Sequence, residues 1–161
     1  MQVPWELAGQ STVKMKVRID DSISNIYDLQ LSDAAPGILE YTAGSQKFGV
    51  VTHANGALVT AANPAQAGET VIVYATGVGP VDQPQATGEA ALADPLARTR
   101  QTPQVTVASR DAFVFFSGLA PGFVGLNQLN VTIPAGTPSG VQQLVITSNG
   151  AASNTVNVPI R

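Results

Sequence analysis

His53 is the one imidazole in a chain that has no cysteine, so acid–base chemistry near neutral pH would have to pass through it. A hydrolytic triad needs a nucleophile, a base and an orienting group, and no G-x-S-x-G elbow is present to lift a serine toward His53. Its place just before Asn55-Gly56 predicts a turn-proximal surface residue. Asp20-Asp21 offers two carboxylates of the kind that cleave glycosides. Adjacent strand residues point to opposite faces, however, and aspartate is a common turn former, so a turn is expected there. No D-x-D-x-D-G calcium loop occurs, and one histidine without cysteine gives no local transition-metal set. "TGVGP" (76–80) lacks the G-x-G-x-x-G spacing and following helix of a phosphate cradle. "NVT" (130–132) matches a glycosylation sequon but falls inside a predicted strand. No catalytic residue, metal or cofactor is expected.

Aromatic side chains are the remaining candidates. Exposed planar rings let β-rich modules stack on sugars, because a ring face is apolar and matches the C–H edges of a pyranose. Trp5, Tyr41 and Phe123 lie in or beside loops, and Phe116 should face away from Phe113 and Phe115, which share one strand face and are expected in the core. Trp5, Tyr41, Phe116 and Phe123 are therefore the candidate ligand or interface residues. Against this stands burial, with Trp5 plugging a junction between an N-terminal hairpin and the main body.

Composition narrows the classes. Hydrophobic residues make up 44% of the 161 and charged residues 12%, about half the usual ~25% charged. Thr, Ser, Asn and Gln must then carry the polar surface, as in many extracellular β proteins. The net charge is −3, and "KMKVRI" (14–19) is the nearest thing to a basic cluster, so nucleic acid is excluded as a partner. No apolar run reaches the ~20 residues of a membrane span. The opening "MQVPWELAGQ" lacks a signal peptide's regions and reads as cut from a longer protein, with any export signal upstream.

The elements that must position these residues are strands. Val13, Met15, Val17 and Ile19 alternate with Lys14, Lys16 and Arg18, and Tyr27, Leu29 and Leu31 alternate again after "DDSIS", which predicts a hairpin with one apolar face. Asn55-Gly56 predicts a second hairpin through a type I′ turn. "TVIVYAT" (70–76) reads as a strand buried on both sides. Residues 82–103 show no strand pattern and are expected to form a long loop with a helical turn around "EAALA". Strands resume at "QVTVA", "AFVFFS", "LNQLNVTI", "VQQLVIT" and "NTVNVPI". Short strands with turns every 8–12 residues predict a sandwich.

The two ends of the chain repeat one another. "SNIYDLQL" (24–31) and "SNTVNVPI" (153–160) align at an offset of 129 residues. Met15 then matches Leu144 and Val17 matches Ile146, while Tyr27, Leu29 and Leu31 match Val156, Val158 and Ile160. With one residue inserted, Val3-Pro4 meets Ile133-Pro134. "AAPGI" (34–38) echoes "LAPGF" (119–123) more weakly. Such repeats mark an array of modules. Residues 1–33 are read as the terminal hairpin of a preceding module and 34–161 as a complete one.

"VPWELAGQ", "AAPGI", "NPAQAGETVIVYATGVGPV", "LAPGFVGLNQLNVTIP" and "PSGVQQLVITSNGAASNTVNVPI" together resemble an uncharacterised C-terminal domain of secreted acidobacterial (Solibacter-type) proteins. The second half is also similar to IPT/TIG immunoglobulin-like domains. The resemblance covers nearly the whole chain and implies an all-β, immunoglobulin-like antiparallel β-sandwich with an extra N-terminal hairpin, secreted or displayed at the cell surface. It carries no catalytic residues. Some immunoglobulin-like surface modules form Lys–Asn isopeptide cross-links beside a buried acid, for which Lys14, Lys16 and Lys47 are the available lysines.

The expected function is that of a non-catalytic spacer, attachment or protein-interaction module of a larger secreted protein. The alternative is a carbohydrate-binding module that uses exposed aromatic residues. A hydrolase would need a cleft where His53 meets at least two acids. Expected partners are neighbouring modules of the parent chain, a protein or polysaccharide ligand, or a second copy in a strand-swapped homodimer, because a lone hairpin cannot bury its apolar face.

Overall fold

Period-two alternation becomes strand throughout the computed structural model, which describes residues 2–161. A single 3-10 turn, Trp5–Leu7, precedes the first hairpin. In that hairpin β1 (Thr12–Met15) pairs with β4 (Tyr27–Gln30), and β2 (Arg18–Ile19) pairs with β3 (Ser22–Ile23) at the tip. Asp20-Asp21 makes the connecting turn, with Asp20 at φ 51°. The expected turn is therefore present, and the hairpin adds no strand to any other sheet.

The rest of the chain forms β5 (Gly37–Ile38), β6 (Glu40–Ala43), β7 (Gln46–Gly49), β8 (Val51–Thr52) and β9 (Thr70–Thr76). There follow β10 (Gln104–Val107), β11 (Arg110–Leu119), β12 (Asn127–Thr132), β13 (Gly140–Ser148), β14 (Ala151–Ala152) and β15 (Val156–Ile160). The strand path runs β5-β9-β12-β11-β10-β13-β15-β7-β6. β11 belongs to both halves: its start pairs with β10 and its remainder with β12. The path thereby folds into two facing layers, an all-β sandwich.

Between the layers, Val71, Val73, Leu129, Val131 and Ile133 meet Val105, Val107, Leu144, Ile146, Val156, Val158 and Ile160, all buried. Burying such side chains contributes about 1.5–3 kcal/mol each.

Four sequence expectations are corrected. Pairing is not wholly antiparallel: β7 runs parallel to β15 at Phe48–Asn157, because the chain leaves β7 for the opposite layer, where β8 pairs with β9. β9 is buried on one face only, with Ile72 and Tyr74 half-covered on the other. The loop at Asn55-Gly56 is not type I′. Gly56 N donates to His53 O at 2.9 Å, and only Gly56 of the pair has positive φ, at 83°; a type I turn followed by a left-handed glycine fits.

The fourth correction concerns 82–103, which has no helical turn. Ala91 N donates to Phe123 O at 3.0 Å and Gly122 N to Ala91 O at 2.8 Å, so the backbone bonds that a helix would use internally go to the neighbouring loop. Farther on, Leu119 N donates to Ala97 O at 2.9 Å. A Cβ on Gly118 would lie 2.1 Å from that Ala97 oxygen, so only glycine permits the crossing. Val81, Ala91, Ala97 and Leu119 form a second small core, with Trp5 packed on it.

Candidate functional site

The four aromatic candidates do not form one surface. Trp5 is half-buried against the second core, and its backbone N–H donates to Thr87 Oγ1 at 3.0 Å. Its packing is against the main body. Tyr41 is half-buried on β6, stacked on Phe48 with ring centroids 5.8 Å apart. Phe123 is exposed on the loop before β12.

Phe116 points away from the main core as expected, in register with Asn130, but it is not open to solvent. The 82–103 segment covers it, leaving it 5% exposed with the Arg98 guanidinium 4.8 Å from its ring centre. Phe113 and Phe115, expected in the core, are instead exposed at 69% and 68%. A bulge between Val114 and Phe116 breaks the alternation, and Val114 is the residue turned inward opposite Val131. Phe113 lies in register with Thr132, whose hydroxyl bonds Thr70 at 2.9 Å, and beyond it Gln128 donates to Asn130 at 2.9 Å. The Phe113 ring thus stands beside uncharged hydroxyls, with the Phe115 ring open at the bulge.

The two Ser-Asn segments share a hydrogen-bond pattern. Val17 N donates to Ser24 Oγ at 3.0 Å, Ser24 N to Val17 O at 2.9 Å, and Ser24 Oγ to Asn25 O at 2.8 Å. Ile146 N donates to Ser153 Oγ at 3.0 Å, Ser153 N to Ile146 O at 2.8 Å, and Ser153 Oγ to Asn154 O at 2.8 Å. Both copies use a serine hydroxyl to accept from one strand while capping the other.

The copies differ in what covers them. Val156, Val158 and Ile160 are fully buried by the facing layer. Their counterparts Tyr27, Leu29 and Leu31 are exposed, half-buried and half-buried. Val17, Ile19, Ile23 and Ile26 are exposed as well. Asn154 Oδ1 accepts from Ile38 N at 2.7 Å and its Nδ2 donates to Ile38 O at 3.1 Å. The amide of Asn25 has no partner among the described residues.

His53 is half-buried rather than freely exposed. Its side chain is 15% exposed, with Nδ1 2.5 Å from Glu69 Oε1 and Nε2 3.2 Å from Asn63 O. Both ring nitrogens face acceptors, so the imidazolium is favoured. The Glu69 bond is the main cause that raises the His53 pKa above its ordinary value, with burial opposing it. Glu69 in turn accepts from Gln66 N at 2.8 Å. These groups line an open hollow of about 400 Å³ with Asn55, Asn63 and Arg161. The hollow brings one acid, Glu69, to His53.

Lys47 is ion-paired with Glu40, whose second oxygen accepts from Asn154 Nδ2 at 3.1 Å. Lysine, asparagine and acid thus meet at one point between β7 and the start of β15. The Lys47 side chain is 65% exposed, and its bond holds the Glu40 carboxyl below the ordinary range, with burial opposing and Asn154 assisting. An ionised, hydrated ammonium has no lone pair with which to attack an amide. Lys14 pairs with Asp28 at 2.9 Å on the outer side of the first hairpin.

Neither the His53–Glu69 pair nor the shared backbone role of Ser24 and Ser153 is legible from spacing alone. The repeated Ser-Asn was the available signal for the second. Comparison of the chain with protein-family models, with curated proteins and with solved structures finds no match.

Proposed function

We propose that this chain is a non-catalytic, immunoglobulin-like extracellular module that serves as a spacer, attachment or interaction domain of a larger secreted protein. In this reading residues 34–161 are one complete module, and residues 1–33 are the closing hairpin of a module before it. The observation that carries the proposal is the matched Val17–Ser24–Asn25 and Ile146–Ser153–Asn154 bonding, with its apolar face buried in one copy and open in the other. Sparse charge and a Thr/Ser/Asn-rich surface support an extracellular setting, as does the resemblance to secreted acidobacterial domains.

Hydrogen exchange on the full chain tests it. Amides of β1 and β4 should exchange far faster than those of β9, β12 and β13, because the hairpin lacks its own core. Equal protection in both would make the hairpin an integral part of this sandwich and overturn the reading.

A second reading, carbohydrate binding, rests on Phe113 and Phe115 rather than on Trp5, Tyr41 or Phe116. A pull-down on insoluble polysaccharides and cell-wall preparations tests it, with binding expected to vanish in the Phe113→Ala/Phe115→Ala double variant.

A further inference from the structure

The closing hairpin of this sandwich is held in two ways. Leu144, Ile146, Val156, Val158 and Ile160 face the opposite layer. Asn154, just before β15, then grips one residue of the first strand, Ile38, at both its N–H and its C=O. The side-chain amide takes the place of one residue of a β-ladder, because it carries the same donor and acceptor as a peptide group.

In the first hairpin every part of that device recurs except the strand it holds. Met15 and Val17 stand where Leu144 and Ile146 stand, and Tyr27, Leu29 and Leu31 where Val156, Val158 and Ile160 stand. Ser24 makes the same three backbone-linked bonds as Ser153. An amide with two donors and an acceptor, set beside an open apolar face, is arranged to receive an extended backbone.

We propose that Asn25 is a strand clasp, gripping the first strand of a preceding β-sandwich that has no closing hairpin of its own and is completed by residues 12–31. The inference rests on the module reading above and adds to it the partner's chemistry: an extended segment with an aliphatic residue whose N–H and C=O are unpaired. An intact second copy of this chain does not qualify, because its Ile38 is already held by its own Asn154.

The test extends the chain, from Val3 onward, at its N-terminus with a second copy of residues 34–132, and carries Tyr27→Val to match Val156. Each molecule then contains β9 twice. If the hairpin completes the added sandwich, peptides spanning β9 show one slowly exchanging isotope envelope. Asn25→Ala then splits it, half the population exchanging about tenfold faster, the loss expected for two hydrogen bonds. Asn25→Asp, which keeps the shape and the acceptor but loses the donors, should fall between. Asn154→Ala in the unextended chain sets the scale for the same loss. A single envelope unmoved by Asn25→Ala overturns the clasp and leaves the module reading standing. Two equal envelopes before any change at Asn25, one of them unprotected, overturn both.

Discussion

Asn154 holds Ile38 by both ends of its side-chain amide, at 2.7 Å and 3.1 Å, across 116 residues of sequence. The contact ties the beginning of the sandwich to its last strand. Asn154→Ala removes both bonds together with the one to Glu40 and leaves the Ile38 peptide to find water, which should cost about 1–3 kcal/mol. Asn25→Ala, at the counterpart position, should leave the stability of the chain unchanged within about 0.5 kcal/mol. Paired urea melts of the two variants read the difference. Equal losses in both would mean that Asn25 has a partner within the chain.

Phe116 and Phe113 should behave in opposite ways. Phe116 fills the space between the outer face of the sheet and the 82–103 segment, under Arg98. Phe116→Ala should lose about 3 kcal/mol or more and release that segment to proteolysis. Phe113→Ala and Phe115→Ala remove exposed rings and should stay within about 0.5 kcal/mol of the parent. Gly118→Ala should resemble Phe116→Ala, because its Cβ would be driven into the Ala97 carbonyl.

These residues also mark the limits of what the sequence shows. Alternation makes β1, β4, β12 and β15 legible, and the recurrence of Ser-Asn points to the bonding pattern that the two hairpins share. Alternation fails at β11 because a single bulged residue reverses the parity after Val114, and nothing local in "AFVFFS" signals it. The seat of 82–103 was illegible for a different reason. Its backbone bonds outside itself go to Pro80, Ser117, Leu119, Gly122 and Phe123, and such long-range pairing leaves no periodic trace. His53 read as a surface residue because Glu69, its partner, lies beyond a turn 16 residues away. The Asn154 clasp is hidden too, since an asparagine before a strand reads equally well as a turn residue.

The Lys47–Glu40–Asn154 cluster makes a prediction about covalent structure. An isopeptide bond from Lys47 Nζ to the Asn154 side-chain carbonyl carbon would expel ammonia. The solvated ammonium and the low-pKa carboxylate oppose that step. Intact mass spectrometry should therefore return the unmodified mass, at neutral pH and after prolonged incubation. A species lighter by one ammonia, absent from Lys47→Ala, would overturn this account and make the cluster a self-cross-linking site.

The His53–Glu69 pair should give the protein a pH-dependent stability of defined sign. Because the folded-state pKa of His53 is raised above 6.5, the folded state binds the proton more tightly than the unfolded chain does. Its contribution is then fully present below 6.5 and is lost as pH rises through the folded value. Arg161 lies on the same hollow and opposes the charge on the ring, so it moderates the effect without reversing it. Thermal melts taken in steps upward from pH 6 should show the midpoint falling in this window. His53→Gln, which keeps a donor but cannot titrate, should flatten the dependence, and so should Glu69→Gln by removing the carboxylate that retains the proton. A wild-type midpoint that rises across the same window would mean that the ring is neutral in the folded state, with its one proton on Nδ1 donated to Glu69.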